Sequence, residues 1–502
     1  MAGAHVVTAP RGRVLLCTEG TYPFAGGGVS TWCDILCSEL SEYDFTIYAL
    51  TGAPEARVRY ELPGNASRVV QVPLWGVSGP EERLLAAEPA SRRRARRRRS
   101  GAKAIESGFL PLLSGLLDGI DGRLQGEADG GHGPALAGGR LVFDLWGFFA
   151  EHDWRRCWKS SPAWELFASR LAHQPDASVD DLGDAFEWLY HYLMPLAGPL
   201  PEADLVHATI AGVPGLLGAI AKQARGTPML VTEHGVWLRE RYIAVSASEL
   251  SPFLKRFLMG LSRFVAEIDY AFADLVAPVT DFNRRWETPC GVPGSRLRTV
   301  TNGVDPNLFT PRARPRGARP TVVSAARVYP LKDIETMIRA AAVVREQIPD
   351  VRFVLYGSLD ADVAYAERCR ALIDELSLRD TFELAGHHPR PSQLYAEGDV
   401  CVLSSISEAF PYTVLEAMSC ARPVVATDVG GVSEALDGFG VVVAPRDHEA
   451  LGRAVVTLLR DDLLRTQMGR QAREAVLARY RIADSVDAYR DLYRSLLAEA
   501  PR

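Results

Sequence analysis

The sequence has few cysteines, no large excess of charge of either sign and no long apolar run. Eight cysteines among 502 residues show no C-x-x-C spacing, which excludes a disulfide scaffold and favours a reducing compartment, the cytoplasm. The net charge of −6 provides no basic field of the kind that recruits nucleic acid. The longest uncharged run, Leu205–Ala221, contains a proline and three glycines. We therefore predict no membrane-spanning helix, so any membrane association would be peripheral, at the inner face.

Length and composition bound the architecture. With 47% hydrophobic and 24% charged residues, the chain is long enough for two or three globular domains. Short apolar runs alternate with helical stretches, which predicts parallel sheets covered by helices on both faces. We predict an α/β protein of two doubly wound, Rossmann-like domains facing each other across a cleft. The predicted domains are 1–310 and 315–480, and the C-terminal helix, 480–502, is a candidate to pack back on the first.

The strand predictions follow the apolar runs. In the first domain they are Val14–Cys17, Phe45–Ala49, Val69–Val72, Leu205–His207, Met229–Thr232 and Leu275–Pro278. In the second they are Thr321–Ala325, Val351–Leu355, Thr381–Leu384, Val400–Leu403, Pro423–Ala426 and Val441–Val443. Helical stretches between them complete the alternation.

A long insertion interrupts the first domain. Seven of the eight residues in Arg92–Arg99 are arginine, and eleven glycines follow in Gly101–Arg140. So many glycines argue against a packed element, and we predict a mobile insert at about 76–140. The arginine run is either a solvated loop or a grip for anionic lipid or another polyanion. The tryptophan-rich segment at about 141–200 forms either a helical core or a surface on which sugar rings stack.

The first candidate site is the element Glu408-Ala-Phe410-Pro411-Tyr-Thr-Val-Leu-Glu416, which follows a predicted strand and opens a helix. Loops at the carboxyl ends of parallel strands bind ligands in open α/β sheets. Carboxylates in such a place accept hydrogen bonds from the paired hydroxyls of a sugar ring or a ribose. The alternative is two surface glutamates, one of them a charge at the helix start.

The second candidate site lies at the turn that follows the predicted strand Thr321–Ala325, where Arg327 and Lys332 precede Asp333. Two permanent cations beside a helix N-terminus suit a diphosphate. The alternative is an exposed basic pair, with Asp333 starting the helix.

Two glycine turns have the same strand–glycine–helix form. Gly26, Gly27 and Gly28 follow the first strand, and Gly430 and Gly431 follow a late one. Such turns let a ligand approach the backbone and leave N–H groups free for an anion. The first turn is not a G-x-G-x-x-G fingerprint, which excludes an NAD site.

His234 stands at another strand end, in Glu233-His234-Gly235. It is a candidate to bond a sugar hydroxyl or to assist a proton transfer, although a lone histidine is often structural. Ligand clusters such as H-E-x-x-H are absent from the sequence, and we predict no metal site.

Together these elements resemble the GT-B glycosyltransferases of family 4. The resemblance rests on Glu408/Glu416, Arg327/Lys332, Thr301-Asn-Gly-Val-Asp305 and Gly430-Gly431. The opening Glu19-Gly-Thr-Tyr-Pro-Phe, with the glycines and Trp32 that follow, looks like the PelF group of Pel exopolysaccharide transferases.

The resemblance implies a retaining transfer from a nucleotide-sugar to a growing polysaccharide or other glycan. We expect the donor to be a UDP-sugar, and the resemblance implies no cofactor and no required metal. It implies that Arg327 and Lys332 neutralise the leaving diphosphate, that Glu416 holds the ribose and that Glu408 contacts the donor sugar. It places His234 near the transferred sugar and Gly26–Gly28 near the phosphate and the acceptor. A membrane synthase complex is a further expected partner.

Two rival functions stay open at this point. A nucleotide-sugar epimerase of the same fold needs the same donor but no acceptor. A non-catalytic scaffold of a membrane polysaccharide synthase would dock through Arg92–Arg99 and the aromatic segment, although the full set of site elements argues against it.

Overall fold

The structure is a computed structural model that describes residues 11–499 except 67, 77–80, 82–83, 87, 126–132, 316 and 389. The chain divides into two compact units. The first comprises 1–278, 284–298 and 490–502, and the second comprises 279–283 and 299–489. The main boundary therefore falls at 298/299, about a dozen residues before the predicted one, and the chain's last segment belongs to the first unit, as the sequence allowed.

Each unit contains one parallel sheet, which among the described residues has six strands. The strands of the first unit are β1 (Arg13–Glu19), β2 (Asp44–Thr51), β3 (Arg68–Pro73), β4 (Leu205–Ala208), β5 (Met229–Glu233) and β6 (Leu275–Pro278). Those of the second are β7 (Thr321–Ala325), β8 (Arg352–Tyr356), β9 (Phe382–Gly386), β10 (Val400–Leu403), β11 (Val424–Thr427) and β12 (Val441–Val443).

Helices connect these strands. Those that start in the first unit are α1 (Gly28–Glu39), α2 (Ala90–Arg99), α3 (Ala102–Ala104), α4 (Leu110–Ile120), α5 (Gly133–Glu151), α6 (Trp154–Trp158), α7 (Ser161–Leu171), α8 (Val179–Tyr192), α9 (Leu216–Arg225), α10 (Trp237–Ala247), α11 (Pro252–Phe272) and α12 (Arg284–Glu287). Those that start in the second are α13 (Ile334–Gln347), α14 (Val363–Glu375), α15 (Pro391–Leu394), α16 (Tyr412–Ser419), α17 (Val432–Leu436), α18 (His448–Arg460), α19 (Asp462–Arg479) and α20 (Ile482–Glu499).

The two sheets share one topology. The first has the order β3-β2-β1-β4-β5-β6, and the second has the order β9-β8-β7-β10-β11-β12. In each, the chain winds outward from the first strand, then returns to the middle and winds the other way. This is the doubly wound order, in which a crevice opens beyond the carboxyl ends of the two central strands. The predicted fold of two Rossmann-like α/β units is confirmed.

The described part of the glycine-rich stretch is packed, so the expectation that glycine excludes a packed element there is wrong. Residues 126–132 of the stretch lie outside the described residues. Residues 133–151 form one continuous helix, α5, and α4 precedes it. A Cβ at Gly138 or Gly139 would overlap the rings of Phe264 or Phe272, which lie on α11. The glycines therefore permit close contact between helices, which outweighs their low helix propensity.

The tryptophan-rich segment forms a core, in agreement with the first of its two interpretations. Trp154 and Trp158 are almost completely buried and pack 5.3 Å apart between ring centroids. Phe149 and Phe167 join the same buried cluster, which continues into the sheet of the first unit. Burying aromatic surface of this size stabilises the helical layer around it.

The second half of α20 anchors to the first unit. The Tyr493 hydroxyl lies 2.7 Å from Nδ1 of His207, and Arg490 Nε donates to Glu42 at 2.8 Å. His207 is fully buried, and its Nε2 lies 2.8 Å from Thr232 Oγ1. Both ring nitrogens are thus engaged, which marks His207 as a structural histidine.

Candidate functional site

The crevice of the second unit lies beyond β7 and β10, the two central strands. After β7 the chain runs through Ala326 to Asp333 before α13 begins, and after β10 it runs through Ser404 to Pro411 before α16 begins. Because β7 and β10 are parallel neighbours, these two loops emerge at the same edge of the sheet. They carry five of the candidate site residues: Arg327, Lys332, Glu408, Phe410 and Pro411.

Lys332 and Glu408 meet in this crevice. Lys332 Nζ lies 2.5 Å from Glu408 Oε1, and the Ser405 hydroxyl donates to the same oxygen at 2.6 Å. The two charged side chains are only 18% and 10% exposed. An ion pair with so little water around it is held in one geometry, and its members are placed to bind a charged or hydroxyl-rich ligand.

Backbone contacts hold the two loops together. The amide of Ile406 donates to the carbonyl of Leu331 at 2.9 Å, and the Ser404 hydroxyl donates to the carbonyl of Lys332 at 2.9 Å. Asp333 caps α13, its side chain accepting from the Thr336 amide at 3.4 Å, as expected of a helix-start residue. The position of Lys332 is therefore fixed from both loops.

Glu416 lies on α16, partly buried. The hydroxyl of Tyr395, which is completely buried, donates to its Oε2 at 2.6 Å. Removal from water raises the pKa of Glu416 to about 7, and the hydrogen bond from Tyr395 opposes that shift. Glu416 and Glu408 are thus differently held: one by a phenol, the other by an ammonium group.

The glycine turn after β11 contacts the Glu408 loop. Gly430 has φ +59°, and a Cβ there would overlap the carbonyl oxygen of Glu408. The amide of Gly431 donates to the carbonyl of Ala409 at 2.6 Å. Only glycine at position 430 tolerates both this backbone conformation and this close approach. Gly430 and Gly431 thus pack against the backbone of the Glu408 loop.

Phe410 and Pro411 have structural surroundings. Phe410 is buried, and its carbonyl accepts from Asn302 Nδ2 at 2.8 Å. Pro411 is the N-cap of α16. Asn302, inside the Thr301–Asp305 element, is therefore a positioning residue for this loop, a role that its sequence motif did not reveal.

Arg327 is exposed, and its guanidinium lies 5.1 Å from the centroid of the Tyr329 ring. It does follow β7 directly, at the edge where the crevice opens. The structure thus brings Lys332, Glu408 and the glycine turn together, and Arg327 is exposed on the same loop as Lys332.

The first unit has a corresponding crevice beyond β1 and β4. Gly26, Gly27 and Gly28 are exposed and lead into α1, with Gly27 at φ +150°. His234, just after β5, is buried against the Trp32 ring at 4.7 Å between centroids. Its Nε2 has no hydrogen-bond partner among the described residues. Burial lowers the pKa of His234 to about 3, so the ring is neutral and suited to hydrogen bonding rather than to carrying a charge.

Sequence reasoning assigned no role to Glu19 and Trp237 and named Arg241 only as a neighbour of His234. Glu19 ends β1, and burial raises its pKa to about 7, opposed by the charge of Arg241 and a hydrogen bond from Trp237. Its Oε2 is buried without a partner among the described residues. The guanidinium of Arg241 lies 5.9 Å from the Trp237 ring. Glu19 was quoted only as part of a motif, and its distance of over two hundred residues from Arg241 gave no local signal.

Glu233, next to His234, is a structural group. It is fully buried, and its carboxylate accepts from the Tyr270 hydroxyl at 2.7 Å and from the amides of Ala211 and Trp237 at 3.1 and 3.3 Å. Burial raises its pKa to about 7, against the effect of these hydrogen bonds. Glu233 thereby ties β5 to the start of α10 and holds His234 at the rim.

Among the described residues, no cluster of three or more histidine, cysteine or carboxylate side chains is arranged to hold a metal ion. No helix in that part of the chain combines the length and the apolar character that crossing a bilayer requires.

Comparison with known families divides the chain in the same way as the fold. Residues 12–295, more than half of the chain, match the model "Domain of unknown function (DUF3492)". Residues 310–475 match "Glycosyl transferases group 1". The second match covers Arg327, Lys332, Glu408, Glu416 and Gly430–Gly431.

Individual proteins agree with the family matches. The D-inositol 3-phosphate glycosyltransferases of Thermomonospora curvata and Acidothermus cellulolyticus are each 30% identical to the chain. The alignments cover 52% and 59% of this chain, and 64% and 68% of those proteins. The crystal structure of Anabaena HepE in complex with UDP-glucose matches with a TM-score of 0.57 at 15% identity, over 96% of this chain and 100% of that one.

These matches and the doubly wound sheets support one conclusion. The fold is GT-B, as the resemblance implied. The chain belongs to the DUF3492 family, carries a glycosyltransferase group 1 domain, and is a glycosyltransferase.

Proposed function

We propose that the protein transfers a sugar from a UDP-sugar to a growing polysaccharide or another glycan, with retention of the anomeric configuration, in exopolysaccharide biosynthesis. The donor would bind in the crevice of the second unit. The observation that carries this proposal is the pairing of Lys332 with Glu408 in contact with a glycine turn. Glu416 lies on the helix that follows the Glu408 loop. Such a set offers an ammonium group for a phosphate and carboxylates for hydroxyl groups.

Each residue has a proposed task. Lys332 and Arg327 would neutralise the diphosphate as it leaves, because cations placed in advance stabilise charge that develops in the transition state. Glu416 would accept hydrogen bonds from the ribose hydroxyls, with Tyr395 fixing its orientation. Glu408 would contact the donor sugar, and Gly430 and Gly431 would let the backbone approach it.

The charges of Arg327 and Lys332 could take the place of a metal ion at the diphosphate. Many transferases neutralise a leaving diphosphate with a divalent metal ion, and two permanent cations supply the same charge. We therefore propose that the reaction needs no cofactor and no metal ion, and that the nucleotide-sugar enters only as a substrate.

The first unit would hold the acceptor. In its crevice, His234 and Glu19 present buried polar atoms without partners among the described residues, and Gly26, Gly27 and Gly28 expose backbone amides. Unpaired buried polar groups are costly unless a ligand satisfies them. A hydroxyl-rich glycan would supply the missing hydrogen bonds.

The cellular setting is proposed on broader grounds. All eight cysteines are free thiols, which suits the reducing cytoplasm. The donor resembles that of HepE, whose structure holds UDP-glucose. A polysaccharide pathway of the Pel type, with a membrane synthase as partner, fits the Glu19–Phe24 opening and the tryptophan-rich segment.

The test is a thermal-shift panel of UDP-, GDP- and ADP-sugars, followed by product analysis. A ligand that binds only the folded state raises the melting temperature, and we expect the UDP-sugars to raise it most. The donor that binds is then incubated with and without an oligosaccharide acceptor, and the anomeric proton of the product is examined by NMR. An epimerised sugar formed without acceptor would show that the protein is an epimerase and not a transferase. A melting temperature that no nucleotide-sugar raises would overturn the proposed donor site.

A further inference from the structure

The most strongly charged surface of the described chain is helix α2, Ala90–Arg99. Seven of its ten residues are arginine. Three of these have acidic partners: Arg92 and Arg96 contact Glu88 at 3.1 and 3.4 Å, and Arg99 pairs with Glu151. The other four, Arg93, Arg94, Arg97 and Arg98, are exposed and have no acidic partner among the described residues. We call these four the arginine stripe.

The stripe lies on one face of the helix. Arg93 and Arg97 are four residues apart, as are Arg94 and Arg98, so each pair is adjacent on the helix surface. Like charges at this spacing destabilise a helix, although positions in the last turn gain something from the helix dipole. The stripe is therefore not arranged for the stability of α2 itself.

Tertiary contacts hold α2 in place instead. Arg96 is buried, and its Nε donates to the carbonyl of Ala150 at 3.1 Å. Ser100, which ends the helix, accepts from the amide of Asp153 at 2.7 Å. Arg156 Nη1 donates to the carbonyl of Arg97 at 2.9 Å. The uncompensated guanidinium groups are thus presented on a fixed support built from the ends of α5 and α6.

The surroundings of the stripe add further charge and little apolar surface. Lys103, Arg155 and Arg156 are exposed nearby. Within the described parts of 84–160, no large hydrophobic or aromatic side chain is exposed. Proteins that bind single-stranded nucleic acid stack bases on aromatic rings, and the stripe offers no ring for this. Its only means of attraction is positive charge over a broad surface.

We propose that the arginine stripe docks the protein on a bilayer of anionic phospholipids. A polybasic cluster gains about 1 kcal/mol per residue near such a surface, and the stripe needs no insertion to do so. The net charge of the chain is −6, so this surface also decides which side of the protein faces the bilayer. The inference does not depend on the proposed transfer reaction.

The experiment is co-sedimentation of the full chain with vesicles of phosphatidylcholine, with and without phosphatidylglycerol. The test variant is R93Q/R94Q/R97Q/R98Q. A matched variant, R68Q/R390Q/R453Q/R470Q, removes the same charge from exposed arginines elsewhere. A third variant replaces the stripe by four lysines. The melting temperature and turnover on a soluble acceptor without vesicles report whether each variant folds and works.

We expect the wild type to bind only the anionic vesicles, and a rise in salt to release it. The glutamine variant should bind them several hundred-fold more weakly, at roughly a factor of five per charge. The lysine variant should keep most of the binding, because a membrane surface reads charge rather than guanidinium geometry.

Three results would overturn the proposal. One is a wild type that does not bind anionic vesicles. Another is an equal loss in the matched variant, which would make net charge the cause. A third is loss in the lysine variant together with tight binding of the wild type to a soluble polyanion such as heparin, which would indicate a specific macromolecular ligand. Loss of turnover alone would bear on the proposed function and not on the stripe.

Discussion

Lys332 and Glu408, which are 76 residues apart in the chain, share a hydrogen bond of 2.5 Å at the end of two adjacent strands. Each is the nearest charge of opposite sign to the other, and Ser405 joins them through the same carboxylate oxygen. A diphosphate entering this crevice would compete with Glu408 for the ammonium group. The pair thus holds the Lys332 side chain in position before a ligand arrives.

The first prediction concerns Lys332→Ala. If Lys332 stabilises the leaving diphosphate, turnover should fall roughly 10²–10³-fold, the usual cost of removing one electrostatic contact in a transition state. The measurement is kcat with the donor found by thermal shift. Lys222→Ala is the control, because Lys222 forms an ion pair of the same length with Asp274 in the first unit. If Lys332→Ala kept wild-type turnover, Lys332 would not stabilise the leaving diphosphate. An equal loss of turnover in Lys222→Ala would contradict that role as well.

The second prediction concerns the pH dependence of donor binding. The pKa of Glu416 is about 7, and only the ionised carboxylate accepts hydrogen bonds from both ribose hydroxyls. The affinity for UDP-glucose, whose diphosphate does not titrate near neutrality, should therefore fall about tenfold from about pH 8 to about pH 6. Calorimetry measures it. Glu416→Gln should bind more weakly, with little pH dependence; an unchanged slope in that variant would assign the titration elsewhere.

The raised pKa of Glu416 also makes the stability of the protein depend on pH. Because the pKa of Glu416 rises from 4.5 to about 7 on folding, the folded protein holds a proton that the unfolded chain has lost. The contribution of Glu416 to the free energy of unfolding is therefore complete below about pH 4.5 and declines as the pH rises through about 7. Urea titrations measure the free energies of unfolding of wild type and Glu416→Gln. Below about pH 4.5 the two free energies should change in parallel with pH. Between about pH 4.5 and about pH 7 that of the wild type should fall more steeply.

The sequence predicted the second unit better than the first. Its central strands, such as Val400–Leu403, are short, apolar and buried, and loop residues that carry charge or glycine follow them. Periodicity and strand ends are local signals, so they located Lys332, Glu408 and Gly430 without a structure. The hydrogen bond between Tyr395 and Glu416 joins residues 21 positions apart, and no sequence motif around Tyr395 predicts it.

The first unit shows where composition misleads. Glycine content suggested a mobile insert, yet Gly138 and Gly139 sit in α5 because large rings of α11 occupy the space that a Cβ would need. Helix propensity is a weak local preference of about 1 kcal/mol for glycine, and packing between helices overrides it. The loop interpretation of the arginine run is wrong, because residues 90–99 form a helix that is held by the distant contact between Arg96 and Ala150.

The third prediction concerns Gly430→Ala. An alanine at φ +59° is strained by roughly 1–3 kcal/mol, and its Cβ would also push against the carbonyl of Glu408. We expect kcat/KM to fall about 10²-fold, because a displacement of about 1 Å in a site residue has that effect. Gly438→Ala is the matched control: it has φ +82° but meets no atom within 4 Å. If both variants lose activity equally, backbone strain and not displacement of Glu408 is the cause.

The fourth prediction contrasts two buried histidines of the first unit. His207 has both ring nitrogens engaged, by Tyr493 and Thr232, whereas Nε2 of His234 has no partner among the described residues. His207→Ala should therefore cost about 1–3 kcal/mol of stability by leaving those partners unsatisfied. His234→Ala should cost less stability and instead raise KM for the acceptor or lower kcat. Because the pKa of each ring is lowered to about 3 by burial, both effects should be flat between about pH 6 and about pH 9. Melting temperatures and acceptor titrations of the two variants decide the assignment, and a His234 variant that is only less stable, with unchanged kinetics, would make His234 structural as well.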